Sequence, residues 1–337
     1  MTTEFENYRA TLWPLPIRHR TVADDMRRLG VELEFIGLPL ATIGEISQRL
    51  LGGTIEQISD YELLLRDSDL GDFGIELDYS YLKQLGRKRG DAKPGDLNNL
   101  AEHFLALVAR QIVPYEIVSP PIPMDQLWQI DSLFKALREA GAKGTNHAVE
   151  YAFGLHLNPE MPDFEAPTVL AYLQAFVVFQ AWLRDRSDID FTRWVTPYVD
   201  DFGTDYIRHI VAPGYKPNMN TLMDDYLRFN PTRNRALDML PLFAHIDENR
   251  VRAAVDDDRI KSRPALHYRL PDCLIDEPDW GLIKPWRDWL QIELLANDPT
   301  RLKQACQRYS RHLARPTERL FDSWLAISGE YLLPELL

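Results

Sequence analysis

The stretch GVELEFIG, residues 30–37, alternates apolar and acidic side chains. In a β-strand, residues i and i+2 point to the same side of the sheet, so Glu32 and Glu34 would share one face. The apolar residues between them would occupy the opposite face. We therefore predict a strand over residues 31–36 that has one apolar and one acidic face.

Three further apolar segments place polar pairs at the same spacing. These segments are FGIELDYS at 73–80, FGLHLNP at 153–159 and PALHYRLP at 264–271. If the four strands pair in one sheet, their polar residues converge on one face, and crowded carboxylates resist ionisation unless cations lie among them. The pattern predicts a site for divalent metal ions. The same-face pairs are Glu32 with Glu34, Glu76 with Asp78, His156 with Asn158, and His267 with Arg269.

Each pair also has a simpler interpretation as an ordinary strand with its charged residues in water. Glu116, in YEIVSPP at 115–121, could be a further metal ligand, could bind a substrate amine, or could stand in a strand ended by two prolines. Arg269, with Arg233 and Arg235 in RFNPTRNR and the nearby Arg263, could bind phosphate through planar guanidinium groups. Most arginines lie on protein surfaces, so surface positions remain the alternative.

Charge and composition narrow the classes of partner. The chain has 337 residues and a formal net charge of −13, which disfavours nucleic acid or an anionic membrane as the main partner. Its two cysteines have no metal-ligand spacing, which is typical of a reducing compartment. The N-terminus lacks a signal-peptide pattern, and the most apolar stretch, 171–183, is short and interrupted by two glutamines. We expect a soluble cytoplasmic protein with no nucleic-acid or membrane partner; the sequence leaves its oligomeric state open.

The order of predicted elements mixes strands and helices without regular βαβ alternation. This order favours an α+β fold, with a mainly antiparallel sheet backed by helices on one face. No linker divides the chain, so we predict a single domain over 1–337 whose final portion, 284–337, is helical. The predicted helices lie at 41–51, 97–108, 124–140, 166–184, 220–229, 235–246, 284–296, 300–312 and 317–330, and residues 67–74 and 86–96 are predicted as turn and loop.

Taken in order, five segments resemble the amidoligase family of carboxylate–amine ligases, which is related to glutamine synthetase and glutamate–cysteine ligase. The segments are GVELEF at 30–35, LGDFGIELD at 70–78, YEIVSPP at 115–121, GLHLN at 154–158 and HYRLPD at 267–272. The last segment departs from the family, because His267 stands where a metal-binding glutamate is usual. Asn158 likewise replaces the second histidine of the Gly-Leu-His strand. An imidazole ligand suits Mn²⁺ better than Mg²⁺.

The resemblance implies a glutamine synthetase-like fold, a curved sheet with a polar active-site face, and ATP-dependent chemistry with Mg²⁺ or Mn²⁺. A carboxylate would be phosphorylated by ATP, and an amine would then displace phosphate to give an amide or isopeptide bond. Small molecules or peptides would supply the carboxylate and the amine. The implied metal ligands are Glu32, Glu34, Glu76, Glu116, His156 and His267. The implied phosphate contacts are Arg233, Arg235, Arg269 and Asn158. The implied catalytic residues are Arg269, which would act on the phosphoryl group, and Asp78 or Glu116, which would act as the base.

Two alternatives remain at this point. A descendant of the same fold could have lost catalysis and act as a binding or scaffold protein, which the change at His267 would explain. A metal-dependent hydrolase could use the same carboxylates to activate water.

Overall fold

The polar segments lie in a nine-stranded sheet. The structure, a computed structural model, describes residues 12–77, 113–147, 153–187, 199–314 and 323–337. Within these residues the strand order is β2-β3-β4-β5-β1-β7-β9-β8, with β6 also pairing β1, and every strand pair is antiparallel. The strands are β1 (Arg28–Phe35), β2 (Thr54–Ser59), β3 (Glu62–Ser68), β4 (Gly71–Leu77), β5 (Tyr115–Val118), β6 (Ile122–Pro123), β7 (Leu155–Pro159), β8 (Leu237–Asp238) and β9 (His267–Tyr268).

The mixed α/β architecture and the mainly antiparallel sheet confirm the predicted class, while the closer likeness to glutamine synthetase stays a prediction. The helices are α1 (Leu40–Leu51), α2 (Leu127–Ala140), α3 (Ala166–Arg186), α4 (Thr204–Ile210), α5 (Met219–Phe229), α6 (Leu240–Ile246), α7 (Glu248–Ala254), α8 (Ile283–Ala296), α9 (Pro299–Ala314) and α10 (Trp324–Gly329). Short 3-10 turns lie at Met124–Gln126, Thr145–His147 and Pro334–Leu336.

The two faces of the sheet differ as the alternation predicts. In β1, buried apolar residues alternate with the partly buried Glu32 and Glu34. The register continues the apolar face from Leu33 through β5 and β4 to Leu63 on β3, and in the other direction through β7 to Tyr268 on β9. One continuous apolar face therefore runs from β3 to β9, and the opposite face carries the polar residues.

Helices pack on this apolar face. Gly44 brings α1 close to β3, because a Cβ atom there would lie 2.9 Å from Leu63 Cδ1. At the other end, Tyr268 contacts the rings of Phe176 on α3 and Trp289 on α8, with centroid distances of 5.9 and 5.5 Å. The helical layer leaves the polar face of the sheet available for a site.

Helix α3 is the longest helix among the described residues. The apolar stretch 171–183 is part of this longer helix. The 21 residues of α3 are long and apolar enough to cross a membrane by length and composition alone, so the prediction that this region is too short to do so is wrong. Most of α3 is buried inside the protein. Its two glutamines have partners there: Gln174 donates to the Ile210 carbonyl at 2.6 Å, and Gln180 accepts from the Phe202 amide at 3.4 Å. The structure therefore uses α3 as a core helix.

A buried ion pair connects the start of β1 to α8. Arg27 donates to both carboxylate oxygens of Glu293, at 3.1 and 2.8 Å, and both side chains have no exposed surface. Tyr172 and Trp289 also donate to Glu293. Burial alone would lower the pKa of Arg27, but the Glu293 carboxylate reverses this and raises it. The network fixes the strand that carries Glu32 and Glu34 against the helical layer.

Several predicted boundaries are wrong. The helix predicted over 235–246 begins only at Leu240, because Leu237–Asp238 form β8 and the Asp238 carboxylate accepts the Leu240 amide at 2.9 Å. The turn predicted at 67–74 is much tighter, since β3 runs to Ser68 and β4 starts at Gly71. Strand β2 and the short helices α4 and α7 were not predicted. The predicted helix over 97–108 and loop over 86–96 lie outside the described residues.

Candidate active site

Strand register brings the acidic residues together on the polar face. Glu34 on β1 is opposite Glu116 on β5, which is in turn opposite Glu76 on β4. Glu62 on β3 continues this row of four glutamates. Two residues along β1 from Glu34, and on the same face, Glu32 is opposite His156 on β7.

A first cluster joins Glu32 to two histidines. Oε2 of Glu32 lies 3.1 Å from Nδ1 of His156 and 3.7 Å from Nε2 of His267. The two imidazole rings meet edge to face, with centroids 5.2 Å apart. The other carboxylate oxygen, Oε1, accepts a hydrogen bond from Asn158 at 2.8 Å and lies 3.5 Å from Nη1 of Arg263. We call Glu32, His156 and His267 the His-rich cluster; one ligand atom from each lies within 4.8 Å of the others.

A second cluster shares His156 but is richer in carboxylates. It consists of Glu34, Glu116 and His156, whose ligand atoms also lie within 4.8 Å of one another, and we call it the acidic cluster. Oε2 of Glu34 accepts the Gly154 amide at 2.8 Å. A Cβ atom at Gly154 would lie only 2.7 Å from Nε2 of His156, so glycine is needed for this close approach. Gly154 thus holds Glu34 through its amide and leaves room for the His156 ring.

Electrostatics distinguish the ionised group from the neutral one in the His-rich cluster. Burial would raise the pKa of Glu32, but its hydrogen bond to His156 and the Arg263 guanidinium 3.5 Å away oppose this, and the pKa lies well below the usual range. Burial also lowers the pKa of His267 well below that of a free histidine, more than the Glu32 carboxylate raises it. The cluster therefore combines a carboxylate with a neutral imidazole, which is the protonation state that metal binding requires.

Arginines border the His-rich cluster on the β8–β9 side. Arg269 donates to the Arg233 carbonyl at 2.9 Å. Burial and the nearby charges of Arg269 and Arg259 lower the pKa of Arg233. Arg263 approaches Glu32 from the same side. This concentration of guanidinium groups beside a metal-compatible cluster suits an anionic group such as a phosphate.

Asp238 was missed by the sequence analysis. It lies opposite His267 in the β8–β9 pair and is fully buried. Burial raises its pKa to about 7, although the surrounding Arg269, Arg233 and Arg263 oppose this shift. The only signal in the sequence is an acid within the apolar run ALDMLPLF, residues 236–243.

Four further residues were predicted for the site, and none of those that the structure describes belongs to either cluster. Glu76 is in register with Glu116 but is not a member of either cluster. Asn158 donates to Glu32, so in this structure it orients a carboxylate. Arg235 donates to the Asp201 carbonyl at 2.7 Å. Asp78 lies outside the described residues.

The donor sets fit divalent metal ions. The acidic cluster offers two carboxylates and an imidazole, and the His-rich cluster offers one carboxylate and two imidazoles. Residues of this region also carry buried polar atoms without a hydrogen-bond partner: Nε2 of His267, Oδ1 of Asn158 and Nε of Arg263 and Arg269. Polar atoms buried in this way are uncommon unless a ligand, ion or water completes them.

Comparison with known proteins adds one match. The model of a family described as "putative amidoligase enzyme" matches residues 25–291 of this chain. That range includes both clusters and the adjoining arginines. No curated protein matches the chain. No solved structure matches it either.

Proposed function

Because this chain belongs to the amidoligase family, and because its polar sheet face assembles two metal-compatible clusters beside arginines, we propose that it is an ATP-dependent carboxylate–amine ligase. The product would be an amide or isopeptide bond formed through an acyl-phosphate intermediate. The observation that carries the proposal is the sharing of His156 by the His-rich and acidic clusters. This sharing suits two adjacent cations that bind one polyphosphate.

Divalent metal ions, Mg²⁺ or Mn²⁺ in the first instance, would be held by Glu32, Glu34, Glu116, His156 and His267 and would neutralise charge on the ATP phosphates. The arginines would act on the phosphoryl group that is transferred. An oxygen of the substrate carboxylate attacks the γ-phosphorus and the bond to ADP breaks, which gives an acyl phosphate and ADP. Arg269 and Arg263 would stabilise the negative charge of this phosphoryl group, which their proximity to His267 and Glu32 supports.

The second step forms the new bond. A neutral amine attacks the acyl carbon, the carbon–oxygen bond to phosphate breaks, and inorganic phosphate leaves. The proton lost by the amine must go to a base, for which we propose Glu116 or Asp78. The position of Glu116 in the acidic row between Glu34 and Glu76 supports this role. Small-molecule or peptide carboxylates and amines are the proposed substrates.

The test is a coupled assay of ADP and phosphate release with a panel of carboxylates and amines, in the presence of Mg²⁺ or Mn²⁺. We expect turnover only when nucleotide, metal, carboxylate and amine are all present. Glu32→Gln should abolish it, because this carboxylate contacts both imidazoles of the His-rich cluster. Glu139→Gln on the exposed face of α2 is the matched control and should retain full activity. Absence of turnover with the whole panel, together with unchanged nucleotide affinity in Glu32→Gln, would overturn the proposal.

A metal-dependent hydrolase is the second candidate. It is supported by the His-rich cluster, because two histidines and one glutamate are also the ligand set of some hydrolytic zinc enzymes. This candidate predicts hydrolysis of an ester or amide without ATP. A non-catalytic binding protein predicts nucleotide or metal binding with no turnover of either kind.

A further inference from the structure

His267 has a ring nitrogen with no partner in a buried position. The residue is only 3 % exposed, and its Nε2 atom has no hydrogen-bond partner. That atom lies 3.7 Å from Oε2 of Glu32, which is beyond hydrogen-bond distance. A buried ring nitrogen without a partner, 3.7 Å from a carboxylate oxygen, leaves room for a cation bound by both atoms.

The two oxygens of Glu32 have separate surroundings. Oε1 is occupied by Asn158 and approached by Arg263. Oε2 lies beside the two imidazoles, at 3.1 Å from His156 and 3.7 Å from His267. In a tetrahedral site with metal–ligand bonds of about 2.1 Å, neighbouring ligand atoms are separated by about 3.4 Å. The two separations measured from Oε2 of Glu32 bracket this value, and the three ligand atoms lie within 4.8 Å of one another.

From this geometry we propose that the His-rich cluster binds a late first-row transition-metal ion, represented by Zn²⁺, in preference to Mg²⁺. The proposal rests on the same metal clusters as the proposed ligase function but not on the ligase reaction itself. Zn²⁺ favours imidazole nitrogen and four-coordinate sites, whereas Mg²⁺ requires near-octahedral oxygen ligands. The acidic cluster, with two carboxylates, is the oxygen-rich site of the pair. Glutamate at position 267 would have made the first site oxygen-rich as well.

The wild-type protein alone provides the first test. Metal-free protein is titrated with Co²⁺ and followed by visible absorption, because four-coordinate Co²⁺ absorbs much more strongly than six-coordinate Co²⁺. Zn²⁺ affinity is then measured by competition with a chromophoric chelator, with and without Mg²⁺. We expect one strongly absorbing Co²⁺ equivalent, displaced by Zn²⁺ and not by a hundredfold excess of Mg²⁺. Displacement by Mg²⁺ at concentrations comparable to those of Zn²⁺ would overturn the proposal.

Variants assign the site. His267→Asn should weaken Zn²⁺ binding by at least about tenfold, the scale seen when metal-site interactions are removed. His267→Glu should reduce the preference for Zn²⁺ over Mg²⁺ and weaken the Co²⁺ absorption. His245→Asn is the matched control, because His245 is exposed on α6, and it should leave Zn²⁺ affinity unchanged. An unchanged Zn²⁺ affinity in His267→Asn would also overturn the proposal.

Thermal unfolding measurements distinguish a variant that fails to fold from one that folds but has lost the metal site. Zn²⁺ should raise the Tm of the wild-type protein and of His245→Asn, but raise that of His267→Asn much less. The results that would contradict the ligase proposal are different. Tight Zn²⁺ binding with no ligase turnover would contradict the ligase proposal alone. Full turnover with Mg²⁺ as the sole metal, together with weak Zn²⁺ binding, would contradict only the proposed preference for Zn²⁺.

Discussion

Glu34 of β1 and Glu116 of β5 lie directly opposite each other across an antiparallel strand pair, so two carboxylates meet on the polar face. Glu76 and Glu62 extend the row across two more strands. Like charges that are directly opposite destabilise a sheet, by roughly 0.2–1 kcal/mol a pair. The row is therefore a site where stability is lower in the absence of bound cations.

The first prediction follows from this row. In the presence of a chelator, Glu116→Gln should increase the free energy of unfolding by roughly 0.5–1 kcal/mol, because it removes repulsion on both sides of Glu116. Added Mn²⁺ should stabilise the wild-type protein more than the variant. Urea unfolding with and without Mn²⁺ measures both effects, and Glu139→Gln serves as the control. A variant less stable than wild type under chelating conditions would contradict the prediction.

The second prediction concerns the backbone beside His156. Gly154→Ala would place a methyl group 2.7 Å from Nε2 of His156, so the imidazole must move. We expect metal affinity to fall by at least about tenfold. Stability should fall by about 1–3 kcal/mol, as for other overpacked sites.

Gly203→Ala is the matched control for this change. Gly203 precedes α4 with a φ of −63°, and a Cβ atom there would have no neighbour within 4 Å. Calorimetric metal titration and urea unfolding should show losses of metal affinity and stability in Gly154→Ala and no such losses in Gly203→Ala. Normal metal binding by Gly154→Ala would show that the close approach is unnecessary.

The third prediction concerns the buried ion pair. Glu293→Gln leaves the Arg27 guanidinium without its counter-charge in a fully buried position, so unfolding free energy should fall by about 3–5 kcal/mol. The exposed pair of Arg308 and Glu330 provides the comparison, since Glu330→Gln should change stability by less than about 1 kcal/mol. Urea unfolding measures both variants. If the two variants lost similar amounts of unfolding free energy, burial would not determine how much an ion pair contributes to stability.

The fourth prediction concerns thiol reactivity and its dependence on pH. Cys306 lines a cleft of about 940 Å³ among α3, α8 and α9, yet burial raises the pKa of its thiol to about 12. Only the thiolate reacts, so at pH 8 about one molecule in ten thousand would be competent. Cys273 is fully buried.

A thiol-reactive disulfide reagent should therefore label neither cysteine rapidly in the native protein and both in urea. The rate at Cys306 should rise about tenfold for each pH unit up to the pKa, because the thiolate fraction rises in that way. Cys306→Ser identifies its contribution. Rapid labelling of native Cys306 at pH 8 would show that the cleft admits water to the thiol.

The sequence predicted the parts of the site that depend on local alternation. Glu32, Glu34 and His156 lie within strands long enough to show period two, and antiparallel pairing then aligns them. Two-residue strands such as β8 and β9 have no measurable period, so their exact extent could not be predicted. Strand β2 is mostly exposed, and its conformation depends on pairing with β3.

Partners that are distant in sequence were also beyond prediction. Arg27 and Glu293 look like ordinary surface charges until the fold brings them together. Asp238 acquires its raised pKa from burial, which outweighs the opposing effect of three nearby arginines. Such roles arise from tertiary packing, which a single sequence does not display.

The order of synthesis matters for α3. It emerges from the ribosome before α8, α9 and α10, the C-terminal helices that pack against it. During that interval the nascent chain carries a 21-residue apolar helix that the insertion machinery of a membrane could mistake for a spanning segment. Until those C-terminal helices have left the ribosome and folded, the apolar surface of α3 that they cover stays exposed.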